Sequence, residues 1–286
     1  MTRSVAHFII SVDMAIDLKA FLQEDIGTED VTTNAVVPEN HRSKAKIIAK
    51  AEGVMAGHIF ASEVFTTLDN SIRYSELKKD GEQVRRGDVL ALIEGKTRAI
   101  LTGERLALNI LQRLSGIATL TARFAEALRG TDTKILDTRK TAPGLRHLEK
   151  YAVRMGGGYN HRKDLSEMAL IKENHISAAG SIREAVIKVR QRTDVPVEVE
   201  VKNMEELKEA IELPVDRIML DNWDIESTRN AVSFVNKKVP LEASGNMTIE
   251  RVREVARTGV DFISVGALTH SFQALDMSLL YEEEQR

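Results

Sequence analysis

Between Asp137 and Ile176 the chain reads DTRKTAPGLRHLEKYAVRMGGGYNHRKDLSEMALIKENHI, a stretch dense in basic side chains: Arg139, Lys140, Arg146, Lys150, Arg154, His161, Arg162, Lys163 and Lys172. Apolar runs of strand type stand at its ends, TKILDT before Arg139 and MALIKE around Lys172, and Gly156 to Gly158 break a helical run ahead of His161. Several cations therefore stand where strands finish, not along an exposed helix. That placement suits the capture of an anion-rich small molecule, because guanidinium groups grip carboxylates and phosphates through paired hydrogen bonds.

Acidic groups follow in a complementary pattern. In VPVEVEV the period of two sends Glu198 and Glu200 to one side and Val197, Val199 and Val201 to the other. The valines suit a helix layer, so both glutamates point inward, where a carboxylate needs a cation, a metal or a proton. A salt bridge to an interior lysine is the plain alternative. Other strand ends offer Thr138, Asp221-Asn222, Ser244-Gly245-Asn246 and Gly266. Glycines at such turns let backbone N–H groups approach a phosphate, and a helix start at Thr248 adds its dipole.

These residues need elements to hold them at one rim. Beyond residue 130 the runs TKILDT, MALIKE, VPVEVEV, DRIMLDN, VPLEAS and DFISVG alternate with amphipathic stripes such as Met204, Leu207, Ile211 and Ile249, Val252, Val255, Ala256. Asn203, Asp224 and Thr248 stand where N-caps belong, and Gly259 stands past a helix end. Strands alternating with helices build right-handed units around a parallel sheet. Six such units, against the eight of a full barrel, predict an incomplete α/β barrel, with an open doubly wound sheet as the second choice. Barrel enzymes keep their sites where strands end, often binding phosphate with the last two loops.

Ahead of the barrel the pattern changes. A helix is expected over Met14 to Glu24, a turn-rich segment over EDIGTEDVTTNAVVPEN, a strand in SKAKIIAKAEGVMAG and a short helix in HIFASEVFTTL. DGEQVRRGDVLALIEGKTRAIL, with turns at Gly81 and Gly87, has the spacing of a small lipoyl-type sheet module but lacks its displayed lysine, so a structural sheet is the reading. From Thr102 to Leu128 the period becomes helical, and Leu106, Leu108, Ile110, Leu111, Leu114, Ile117 and Leu120 form a face suited to core or to a subunit contact. Glu104 and Arg105 beside it read most simply as an intrahelical surface pair.

Composition excludes several classes. Among 286 residues there are 43 acids, 40 bases and no cysteine, for a net charge of -3. Nucleic acid is not the expected partner, and disulfides, thiolate nucleophiles and Cys-ligated zinc are ruled out. No apolar run is long enough to span a membrane, so a cytoplasmic protein is expected. Residues 1–13 read as an N-terminal extension.

The segments DTRKTAPGLRHLEKYAVRMGGGYNHR, ALIKENHI, VEVEV, IMLDN, LEASGN, FISVGA and ERLALNILQRLSGIAT closely resemble the quinolinate phosphoribosyltransferase family, in the family's order, from about Glu24 to Ser278. Glu29, where glycine is expected before Asp30, and Trp223, where another apolar residue is usual, are the departures. The resemblance implies an N-terminal α/β sandwich domain over 14–115, rejoined by the tail 270–286, and an incomplete α/β barrel over 116–269. It implies transfer of phosphoribosyl from phosphoribosyl pyrophosphate to quinolinate with decarboxylation, and Mg2+ as cofactor. By the same pattern Arg105, Thr138, Arg139, His161, Arg162 and Lys172 would line the quinolinate pocket, and Lys140 would hold the pyrophosphate. Glu200 and Asp221 would meet the ribose and the metal, while Ser244, Gly245, Asn246 and Gly266 would cradle the 5′-phosphate. Arg105 would serve the partner's site in a homodimer. Rival readings are a sibling phosphoribosyltransferase acting on another base, a barrel lyase with Lys140 or Lys172 as Schiff-base lysine, and a ligand sensor without turnover.

Overall fold

The apolar runs after residue 130 become six parallel strands. The computed structural model describes residues 17–282, so the expected extension and the start of the expected first helix lie outside the described residues. In chain order the strands are β1 (Arg42–Ala49), β2 (Gly53–Val54), β3 (Arg73–Glu76), β4 (Gln83–Val84), β5 (Val89–Lys96), β6 (Lys134–Leu136), β7 (Ala169–Ile171), β8 (Val197–Val201), β9 (Arg217–Asp221), β10 (Leu241–Ser244), β11 (Phe262–Ser264) and β12 (Met277–Glu282).

The parallel sheet has the order β6-β11-β10-β9-β8-β7, so the first strand of the set lies beside the last. Right-handed crossovers carry the chain around in this way. β6 and β7 are not paired with each other; Tyr159 instead bridges to Leu136 on the outside of β6. The barrel is therefore interrupted between Tyr159 and β7, which makes it incomplete. Its outer layer includes the helices Met204–Ala210, Ile225–Val235 and Ile249–Ala256. Asn203, Asp224 and Thr248 each accept a backbone N–H of the first turn, as their positions led us to expect.

The N-terminal sheet is antiparallel in the order β12-β1-β5-β3, with β12 paired to β1 from Lys44–Glu282 to Ala49–Met277. Helix His58–Leu68 packs on the long helix Thr97–Ala127. That helix starts earlier than its apolar period suggested, and it runs through positions 115 and 116, so the sandwich and the barrel share it. Leu108, Ile110, Leu111, Leu114 and Ile117 are buried within the chain, while Leu106 and Leu120 are half-buried.

Two expectations need correction. The turn-rich segment contains the helix Val31–Val36, started by the Asp30 carboxylate accepting the Thr33 N–H. The first helix is Leu18–Ile26, because Asp17 caps it by accepting the Ala20 N–H. β3 carries no alternating apolar face, being largely exposed, and escaped notice for that reason. The departure at Trp223 is absorbed: its ring is buried and its N–H donates to the Val201 carbonyl at 3.0 Å.

Candidate active site

A cleft of about 740 Å³ opens where the parallel strands end. Thr138, Arg139, Lys140, His161, Arg162, Lys172, Glu200, Asp221, Ser244, Gly245, Asn246 and Gly266 all line it. One expected residue does not. Arg105 is exposed on the long helix and is no part of the cleft lining. It also forms no ion pair with Glu104 among the described residues, as neighbours in sequence point away from each other on a helix.

β6 delivers Thr138, Arg139 and Lys140, and β7 delivers Lys172. The Thr138 hydroxyl accepts the Lys140 N–H at 3.0 Å, which tightens the turn after β6. Arg139 Nε is buried and has no hydrogen-bond partner among the described residues. Arg162 donates one N–H to the Met168 carbonyl at 2.8 Å. Burial, and then the neighbouring Arg139, depress the affinity of Arg162 for its proton, so two guanidinium groups repel each other across the same pocket. Such a pair is suited to a dianion.

Opposite them stand Glu200, at the end of β8 and 3.4 Å from Lys172, and Asp221, at the end of β9. The Asp221 carboxylate accepts from the Asn222 amide at 2.9 Å. Asn222 and Asn246 both adopt left-handed backbone, with φ of 59° and 45°, and Gly245 between the strand ends has φ of 101°. A side chain at Gly245 would bring its first carbon to 2.1 Å from Asn222 Oδ1, so only glycine fits where the two loops meet. The loop after β11 is also close-packed, though less tightly. A first side-chain carbon at Gly266 would approach the Lys140 chain at 3.0 Å and His270 Nε2 at 3.1 Å. His270 also lines the cleft; it follows the last strand of the barrel, and no pattern marked it.

Below the rim lies a buried layer. His161 Nε2 is 2.9 Å from Glu198 and 3.5 Å from Glu242. Glu242 also receives Arg217 at 2.9 Å. Burial raises the proton affinity of both glutamates. Glu242 was missed although the signal was present: the period of two in LEAS puts it on the face of Ser244. Lys150 is no site cation, because it donates to Asp137 at 2.5 Å in a fully buried pair.

Two donor sets can be weighed for a metal. Glu200 and Asp221 offer carboxylate oxygens at the cleft wall, the hard donors that Mg2+ takes together with substrate oxygens. His161, Glu198 and Glu242 present ligand atoms within 4.8 Å of one another, but all three are buried and share the layer with Arg217.

Residues 30–115 match the family described as the N-terminal domain of quinolinate phosphoribosyl transferase, and residues 117–280 match its C-terminal domain. A probable nicotinate-nucleotide pyrophosphorylase [carboxylating] of Bacillus subtilis is 46% identical over 92% of this chain and 91% of its own. A mitochondrial quinolinate phosphoribosyltransferase [decarboxylating] of Nicotiana tabacum is 41% identical over 95% of this chain and 83% of its own. In structure, NadC from Streptococcus pyogenes matches with a TM-score of 0.89 at 42% identity, covering 93% of this chain and 96% of that one. With both halves matched and these relatives spanning almost the whole sequence, the chain belongs to the quinolinate phosphoribosyltransferase family.

Proposed function

We propose that this protein transfers the phosphoribosyl group of phosphoribosyl pyrophosphate to quinolinate and releases nicotinate mononucleotide, pyrophosphate and carbon dioxide, in NAD biosynthesis. The observation that carries this reading is the convergence of Arg139, Arg162, Lys140 and Lys172 on one cleft that also holds Glu200, Asp221 and a glycine-rich rim. Two adjacent carboxylates on a pyridine ring need several cations in a small space, and a phosphoribosyl donor needs cations for pyrophosphate and backbone for its 5′-phosphate.

The protein's own groups then act by placement. Arg139, Arg162 and Lys172 hold the dicarboxylate so that the ring nitrogen faces the anomeric carbon. The nitrogen attacks as the bond to pyrophosphate breaks, and Lys140 takes charge building on the leaving group. Glu200 and Asp221 stabilise the positive charge that develops on the ribose. Ser244, Gly245, Asn246 and Gly266 hold the 5′-phosphate. Mg2+, which Glu200 and Asp221 would hold, supplies further charge neutralisation on the pyrophosphate. In the second step the bond to the carboxylate beside the ring nitrogen breaks, carbon dioxide leaves, and the electron pair stays on the ring carbon next to the cationic nitrogen. A proton then replaces it. Ion pairing that favoured the departing carboxylate would slow this step, so the ring itself is the electron sink.

The active unit we propose is a homodimer in the cytoplasm, in which Arg105 completes the partner's cleft. An exposed arginine outside its own chain's site supports that arrangement. The Schiff-base alternative leaves the arginines without a joint purpose. Pyrophosphate release with quinolinate or with nicotinate tests the reading. Nicotinate leaves cations unpaired, a loss of about 2–5 kcal/mol or roughly 30- to several-thousand-fold. Comparable turnover with both acids would overturn it.

A further inference from the structure

Lys140 is exposed and forms no ion pair among the described residues, so its place at the cleft is set by the backbone that carries it. Three ties hold that backbone. The Thr138 hydroxyl accepts the Lys140 N–H at 3.0 Å, and the Lys140 carbonyl accepts the Thr269 hydroxyl at 2.8 Å. The third tie comes from outside the cleft. Two residues on, the Ala142 N–H points at both oxygens of Glu149, at 3.4 and 3.3 Å.

Glu149 is fully buried in the first turn of the helix Arg146–Met155. Its Oε1 accepts from Arg113 twice, from Nε at 3.1 Å and from a terminal nitrogen at 2.5 Å. Arg113 comes from the long helix Thr97–Ala127, and its guanidinium lies 4.9 Å from the centre of the Phe272 ring. Phe272 stands two residues beyond His270, a cleft residue of the loop after β11. One guanidinium therefore meets the supports of two loops, Glu149 for the loop after β6 and Phe272 for the loop after β11. Neither Arg113 nor Glu149 lines the cleft.

We infer that Arg113 and Glu149 form a positioning pair for phosphoribosyl transfer, which sets the backbone of Lys140 for the donor's pyrophosphate without touching it. This role rests on the function proposed above and gives Lys140 a support outside the site.

Packing alone does not account for the pair. Apolar side chains of the same size hold two helices together as well as a buried ion pair does, and often better, because no charge must be desolvated. What an apolar residue cannot do is accept the Ala142 N–H. Beyond Ala142 the chain turns through Pro143 and Gly144, with φ of 77° at the glycine, and Leu145 donates back to the Ala142 carbonyl at 3.1 Å. Glu149 thus anchors this turn where it leaves the site. Arg113 supplies the counter-charge that a buried carboxylate needs, and its two N–H groups on Oε1 fix the direction of that oxygen.

The test is calorimetry of phosphoribosyl pyrophosphate with Mg2+, together with steady-state kinetics. Glu149→Met removes the acceptor at similar volume, whereas Glu149→Gln can keep Oε1 and loses only the charge. Glu149→Met should raise Kd and KM for phosphoribosyl pyrophosphate about 10- to 100-fold, and Glu149→Gln or Arg113→Lys about three- to tenfold, with KM for quinolinate within about twofold. A purely structural role would lower the folded fraction, which reduces kcat and leaves both KM values and the fitted Kd unchanged. That outcome overturns the inference, as does an equal rise in both KM values. If Glu149→Met fails to fold, Glu149→Gln and Arg113→Lys decide. A cycle with Lys140→Ala shows whether the pair acts through that lysine, since Glu149→Gln should then cost no further affinity. Equal losses in both backgrounds would overturn the route through Lys140. Wild-type protein that does not bind phosphoribosyl pyrophosphate would overturn the proposed function and this role with it, whereas wild-type binding with unchanged variants removes the role alone.

Discussion

The rim of the barrel and the layer just beneath it carry the same kinds of charged residue and treat them in opposite ways. At the rim, Arg139 has a buried Nε without a partner among the described residues, and the Lys172 ammonium stands 3.4 Å from Glu200. Beneath it, Lys150 meets Asp137 at 2.5 Å, Arg217 meets Glu242 at 2.9 Å and His161 meets Glu198 at 2.9 Å. Cations at the rim keep hydrogen-bonding capacity for a ligand, whereas those below have given theirs to the fold. The sequence stretch that supplies both layers does not distinguish them, so depth within the barrel decides which lysine binds and which one braces.

Breaking the lower layer should have the largest effect on stability. Asp137→Ala leaves Lys150 buried without a counter-charge and removes the acceptor for His161 and Asn160, a loss of about 3–5 kcal/mol in chemical denaturation. Arg139→Ala at the rim should behave in the opposite manner. It removes a repulsive cation from the free protein, so the melting temperature should stay level or rise, while kcat/KM for quinolinate falls by about 2–5 kcal/mol of binding. If both variants lose stability alike, the division into a binding layer and a bracing layer is wrong.

A third experiment extends the comparison to the partner subunit. Arg105→Ala and Lys140→Ala should each be inactive alone. After subunit exchange, one site of each mixed dimer carries both defects and the other neither, so about half the activity per mixed dimer should return. Exchange confirmed by mass without recovered activity would put Arg105 outside any site.

The smallest effect sets a solvated reference for paired charge. Hydrogen bonds from the Ser71 hydroxyl, from Lys96 and from the Ser71 N–H hold the Asp69 carboxyl down to about 2. Because the folded value lies below the unfolded one, this stabilisation is complete above about pH 4 and fades as pH falls toward 2. Lys96 is 43% exposed and Asp69 14% exposed, so solvent screening should keep the contribution under about 1 kcal/mol. Asp69→Asn should flatten the acid limb of the stability curve by that amount and leave activity at neutral pH unchanged. A loss as large as that of Asp137→Ala would mean that burial is not what separates the two pairs.

Much of the rim was legible, because a strand's C-terminal end can be read from where an apolar run stops. Arg139, Lys172, Asp221 and Ser244 were found in that way, and Glu200 by alternation. Glu242 carried the same alternation and was overlooked as an ordinary strand residue. The pairing of Asp137 with Lys150 was not legible, since it depends on how the helix Arg146–Met155 returns to the end of β6, and on the Gly156 turn that then brings Tyr159 beside Leu136. At Gly156 a side chain would stand 2.3 Å from the Ala118 carbonyl. Nor can one chain show where Arg105 acts, because the long helix buries its apolar face within the chain and leaves the arginine exposed.

The pairing of β12 with β1 has a consequence for synthesis. Lys44 lies opposite Glu282 and Ala49 opposite Met277, so β1 waits for its neighbour while all the residues between them are made. At about 5–20 residues per second that delay is on the order of ten to fifty seconds. Throughout it, β1 can pair with β5 but presents its other edge to the crowded surroundings of the ribosome. The residues of that edge alternate as RSKAKIIA, with Lys44 and Lys46 on its more exposed face, and lysines on an open strand edge discourage other chains from adding to it. The same side chains that decorate the finished sheet therefore guard the nascent one, and Lys46 later closes onto Glu282 at 2.7 Å when the last strand arrives.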